Sequence, residues 1–83
     1  MAYRFAATGR RWFDGCNTYH SWQVAGIDDT NFWLTSQKPI YGYGGHWRDT
    51  CLEALRALPG NEGLTIRDVL WLPAADVGRK RDL

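Results

Sequence analysis

The spacing of apolar and polar positions divides the chain into short blocks. Residues 18–27 are dense in Thr, Tyr, Trp and Val, types that suit a pleated, half-buried surface, and predict a strand. Residues 3–5 and 10–13 predict a weaker first strand with an interruption between them. Asp14-Gly15-Cys16-Asn17 joins the two, because Asp-Gly is a strong hairpin signal and Asn tolerates positive φ. Asp28-Asp29-Thr30-Asn31 turns the chain again. Residues 32–36 and 40–43 then predict a third strand broken at Lys38-Pro39, since proline donates no ladder hydrogen bond.

The pattern changes period after Gly45. Trp47, Cys51, Leu55 and Leu58 fall at i, i+4, i+8 and i+11, which puts them on one face of a helix. Arg48, Asp49, Glu53 and Arg56 lie largely off that stripe, and Asp49 suits the positive end of the helix dipole. Pro59-Gly60 stops the helix. Residues 64–72 predict a final strand, and residues 74–83, with Arg79-Lys80-Arg81, predict a loose basic tail. The order ββ(β)αβ implies an α+β domain, a small antiparallel sheet of three or four strands packed against one α-helix.

Composition sharpens this picture in three ways. Eighty-three residues suit a single domain, 1–83. A net charge of +1 excludes both an acidic nucleic-acid mimic and a strongly basic DNA-coating protein. Five Trp, four Tyr and three Phe are more aromatic bulk than one small core hides, so some of it faces a partner or lines a hollow. Two cysteines do not make a disulfide framework, the N-terminal residues show no apolar signal-peptide region, and no apolar run is long enough to span a membrane. These features predict a cytoplasmic protein with free thiols.

Candidate chemistry is sparse. Cys16, His20, His46 and Cys51 contain the donor types of a zinc site, but His46 and Cys51 would point about 140° apart on a helix. Closed zinc sites favour tighter pairs. Cys16 as a nucleophile has His20 nearby but no acid spaced to orient it. Gly42, Gly44 and Gly45 precede the helix without completing a phosphate-binding motif, and serve instead to swing the chain from strand to helix. No enzyme and no cofactor is expected, and a thiol or metal enzyme is the weakest reading. Arg10-Arg11-Trp12 and Arg79-Lys80-Arg81, with Tyr19, Trp33 and Tyr43, allow a nucleic-acid stacking platform, which the balanced charge disfavours.

The segment Arg11-Trp12-Phe13-Asp14, followed by Asn17-Thr18-Tyr19-His20-Ser21 and then by Tyr41-Gly42-Tyr43-Gly44, resembles a family of very small phage and prophage proteins. The resemblance covers residues 11–58, and Cys16 stands where that family's pattern usually has Gly. In size and setting these proteins are similar to anti-CRISPR proteins that inhibit type I Cascade complexes, with type I-C as the candidate subtype. The resemblance implies a non-enzymatic inhibitor in the cytoplasm of a bacterial host, bound to a Cascade subunit, with a homodimer left open. The alternative is a small nucleic-acid-binding or regulatory module. The residue types favoured at interface centres select Arg10, Arg11, Tyr19, Trp33, Tyr41 and Tyr43 as the partner-binding set.

Overall fold

The computed structural model describes residues 3–36, 38–42 and 44–83. Strands β1 (Phe5–Phe13) and β2 (Thr18–Gly26) form an antiparallel hairpin, paired from Phe5 opposite Gly26 to Phe13 opposite Thr18. The Asp14 carboxylate closes the turn by accepting the backbone N–H groups of Cys16 at 2.8 Å and Asn17 at 2.7 Å. Gly15 supplies the φ of +99° that the turn needs. The bond from Asn17, followed by that from Cys16, holds the Asp14 carboxyl below the usual aspartate range.

Two short strands follow one another along the outer edge of β2, both antiparallel to it: β3 (Trp33–Thr35) and β4 (Ile40–Tyr41). The break expected at Lys38-Pro39 lies between them. Helix α1 (His46–Arg56) begins one residue before the expected span and ends two residues before its limit. A 3₁₀ turn, Ile66–Asp68, leads into β5 (Val69–Trp71), and β6 (Ala75–Asp76) comes next. Residues 74–83, read from the sequence as a loose tail, thus include a strand and a second 3₁₀ turn, Lys80–Asp82.

The sheet differs from the expected antiparallel one in two respects. Among the described residues it contains six strands, in four lanes, because β3 with β4 and β5 with β6 each share one flank. It is also mixed, since β5 and β6 run parallel to β1. The connection through the helix explains this. Strands β3 and β4 are antiparallel to β2 and so run with β1, and α1 serves as a crossover that returns the chain in that same direction for β5 and β6. The expected strand over residues 64–72 shrinks to β5 because Thr65 donates from both its N–H and its Oγ1 to the Asp68 carboxylate, at 2.7 and 3.0 Å. That local pairing bends residues 66–68 into a turn.

Strand β1 is continuous where the sequence predicts an interruption. Its buried positions are Phe5, Ala7 and Gly9, and the small size of the last two is a packing requirement. A Cβ on Gly9 would lie 2.8 Å from the Trp47 indole of α1. The helix rests directly on the bare backbone there. Trp47, Cys51, Leu52 and Leu55 form its buried face against Phe5, Ala7, Trp22, Val24, Leu64 and Val69. The expected stripe holds, with Leu52 added and Leu58 packed at its margin. Trp47 meets Trp71 edge-on with ring centroids 5.5 Å apart. The Arg56 Nε donates to the Leu64 carbonyl at 2.7 Å and ties the end of the helix to the returning chain. Among the described residues, no helix is long and apolar enough to cross a membrane.

Candidate protein-docking face

Successive side chains of a strand point to opposite faces, so covering one face of the hairpin with α1 leaves the alternate positions on the other. Across that open face the register sets Trp12 opposite Tyr19 and Tyr19 opposite Tyr41. Their rings form a row, with Trp12 stacked on Tyr19 at 5.8 Å and Tyr19 edge-on to Tyr41 at 5.8 Å. Trp33 pairs with Ala25 at the opposite end of the face and is 66% exposed, unusual for so large an apolar side chain.

Between these aromatic ends lie two adjoining hollows. One, of about 170 Å³, is lined by Thr8, Arg10, Ser21, Gln23, Thr35 and Leu83 among others. The other, of about 300 Å³, has a floor of Ala6, Thr8, Gln23 and Ala25, with Trp33 and Leu72 as further lining. Thr8 and Gln23 line both, so the two adjoin and together form a furrow along the sheet. Small side chains on its floor and large ones at its margins give a relief that a partner's side chains can enter.

The structure brings Arg10, Tyr19, Trp33 and Tyr41 of the sequence-selected set to this face. Arg11 is placed elsewhere. It pairs with the buried His20, so strand alternation turns it toward the helix side. There its Nε lies 3.2 Å from the Asp76 carboxylate of β6, close enough for an ion pair but off-axis for a hydrogen bond. With Asp76 largely exposed, such a contact contributes about 0–1 kcal/mol. Tyr43 lies outside the described residues.

The basic tail supplies what the sequence reading of the site left out. The Lys80 Nζ lies 5.8 Å above the Tyr19 ring, and Arg10 Nη1 donates to the Asp82 carbonyl at 3.5 Å, the long limit of a hydrogen bond. An exposed cation–π contact of this kind contributes roughly 0.5–1 kcal/mol. Trp12, Thr8, Gln23 and Leu72 also belong to the face, although the sequence reading did not select them. Trp12 was within reach: a four-residue turn pairs Phe13 with Thr18, and so Trp12 with Tyr19. The others carry no chemical signal of their own.

The thiols and imidazoles sit away from this face. Cys16 is exposed on the hairpin turn, whereas Cys51 is buried under the sheet. Burial pushes the Cys51 thiol up to about 12 and leaves it protonated and inert. His20 is buried with its ring 5.7 Å from that of His46, and its Nε2 has no hydrogen-bond partner among the described residues. Desolvation lowers its pKa, opposed by a bond to the Gly42 backbone and aided by His46. A Cβ on Gly42 would collide with the His46 ring, so glycine makes this approach of imidazole to backbone possible. Among the described residues, no group of three or more His, Cys, Asp or Glu side chains converges as metal ligands. No protein-family model, no curated protein and no solved structure matches the chain.

Proposed function

We propose that this protein is a non-enzymatic binding protein that docks its helix-free sheet face onto another protein. The observation that carries the reading is Trp33, with most of its surface in water, at the edge of a furrow that continues to Arg10 and the Trp12–Tyr19–Tyr41 row. Trp, Tyr and Arg are the side chains that dominate interface centres. By contrast, the helix presents Arg48, Asp49, Glu53 and Arg56 outward, a face of mixed charge with no aromatic among those four.

The resemblance to small phage proteins supplies the partner. The target is a type I CRISPR effector complex in the cytoplasm of a bacterial host, and inhibition works by occluding a Cascade subunit. Binding to purified type I Cascade tests this. Trp33→Ala and Arg10→Ala each weaken binding about thirtyfold, the loss of about 2 kcal/mol typical of an interface hot spot. Arg48→Ala and Glu53→Ala bind like the parent. Binding lost through the helix-face changes and kept through Trp33→Ala overturns the assignment.

A second reading rests on the stacked row itself. Trp12, Tyr19 and Tyr41 flanked by Arg10 and Lys80 have the makings of a single-stranded nucleic-acid platform. Oligonucleotide affinity that falls steeply with salt favours that reading.

A further inference from the structure

The groups that make the open face attractive to a partner are already engaged by the chain's own tail. Strand β6 leaves the edge of β1 with the Val77 N–H donating to the Arg11 carbonyl at 2.7 Å. The next residues turn onto the sheet face. Lys80 takes the face of Tyr19, the Asp82 carbonyl takes Arg10, and Leu83 closes one side of the hollow lined by Thr8, Ser21, Gln23 and Thr35.

Two features set this segment apart from an ordinary packed one. Residues 78–82 are all exposed, and no apolar side chain among them anchors the segment to the core. Among the described residues, its contacts to the face include one cation–π approach, one hydrogen bond at the distance limit and a half-buried leucine. The seat of the segment is nonetheless central, since it covers Tyr19 and Arg10 and reaches the furrow that continues to Trp33. A weakly held cover over a well-formed surface is a competitor for that surface. Side-chain chemistry agrees: a partner that stacks a cation on Tyr19 or pairs an oxygen with Arg10 must first displace Lys80 and the Asp82 carbonyl.

We propose that residues 78–83 form a displaceable strap that occupies part of the docking face, and that the partner is a protein segment replacing it. That segment presents an aliphatic side chain at the Leu83 position and a cation over Tyr19, in an extended conformation whose backbone groups meet the hydroxyl and amide groups of Thr8, Ser21, Gln23 and Thr35. This proposal rests on the sheet-face reading above and adds its regulation: the strap lowers affinity and selects for partners that match its own chemistry.

The test uses the full chain with Lys80→Glu and Leu83→Asp, and Arg81→Glu as a control for charge reversal. Hydroxyl-radical footprinting reads the exposure of Tyr19 and Trp12 without any partner. Lys80→Glu and Leu83→Asp raise Tyr19 labelling about threefold while circular dichroism stays that of the parent, and Arg81→Glu leaves labelling unchanged. A synthetic peptide with the sequence of residues 78–83 restores protection in trans. Equal Tyr19 labelling in all four proteins overturns the strap. In the same variants, affinity for type I Cascade rises about fivefold, equivalent to about 1 kcal/mol. Increased labelling with affinity unchanged overturns the competition, because the strap then leaves a face the partner does not use. If the parent and both variants all fail to bind Cascade while labelling rises and the peptide still protects, the strap stands and the Cascade assignment falls.

Discussion

The two faces of the same hairpin are built from alternating residues of the same strands, yet they solve opposite problems. On the covered face, Ala7 and Gly9 are small because the Trp47 indole and Leu55 fill the space above them. On the open face, Ala6 and Ala25 are small with nothing large from the core above them, and the result is a furrow. Small residues thus mean tight packing on one side and an accessible hollow on the other. What separates the cases is whether a large side chain from a distant part of the chain lies over them.

The contrast can be broken by measurement. The largest expected effect is on the covered face: Leu55→Ala costs about 2–5 kcal/mol, read as a drop in the denaturant midpoint. Trp33→Ala on the open face changes stability by less than about 0.5 kcal/mol, despite deleting a larger side chain. Equal losses would erase the distinction between the faces. Next in size, Gly9→Val drives a branched carbon with its two methyl groups toward the Trp47 indole and costs about 1–3 kcal/mol of overpacking, whereas Ala25→Val on the furrow floor leaves the melting temperature close to the parent's.

A smaller effect separates the faces by pH. His20 is on the covered side, and its pKa is depressed by burial, so the folded protein resists protonation that the unfolded chain accepts. Its contribution to stability is complete above the unfolded histidine value near ~6.5 and is lost as pH falls from there through the folded value. The melting temperature therefore declines between neutral and mildly acid pH, before the carboxylates of Asp14 and Asp68, both held below their usual range, begin to titrate. His20→Leu flattens that decline, and an unchanged slope would place the proton elsewhere. The smallest effect belongs to Arg11. Arg11→Ala lowers stability by no more than about 1 kcal/mol and leaves partner binding intact, while Arg10→Ala does the reverse. Swapped outcomes would mean the parity of β1 is inverted.

The arginine pair shows how far a linear reading reaches. Arg10 and Arg11 are adjacent and chemically equivalent in sequence, and grouping them as one basic cluster is natural. A strand sends them to opposite faces, one to the furrow and one to Asp76. Only knowledge of which face carries the helix separates them. The reading of residues 64–72 fails for a related reason, since the Thr65–Asp68 bonds compete locally with strand pairing. The parallel direction was nearer to hand: a helix between two strands of one sheet is the usual crossover for a parallel pair, which gives β5 the direction of β4 and so of β1.

Local order in the sequence determined the hairpin turn at Asp14–Asn17, the broken third strand around Pro39 and the helix with its buried stripe of Trp47, Cys51 and Leu55. Each depends on interactions spanning a few residues: a carboxylate capping its own turn, a missing N–H, a 3.6-residue period. The tertiary structure alone decided the continuity of β1, the facing of Arg10 and Arg11, the lane taken by β5 and the seating of residues 78–83 on Tyr19 and Arg10. Those outcomes join residues about forty to seventy positions apart, where no local period or motif encodes the match. Which face of a strand is buried is set by what packs on it, and here that is a tryptophan from the helix.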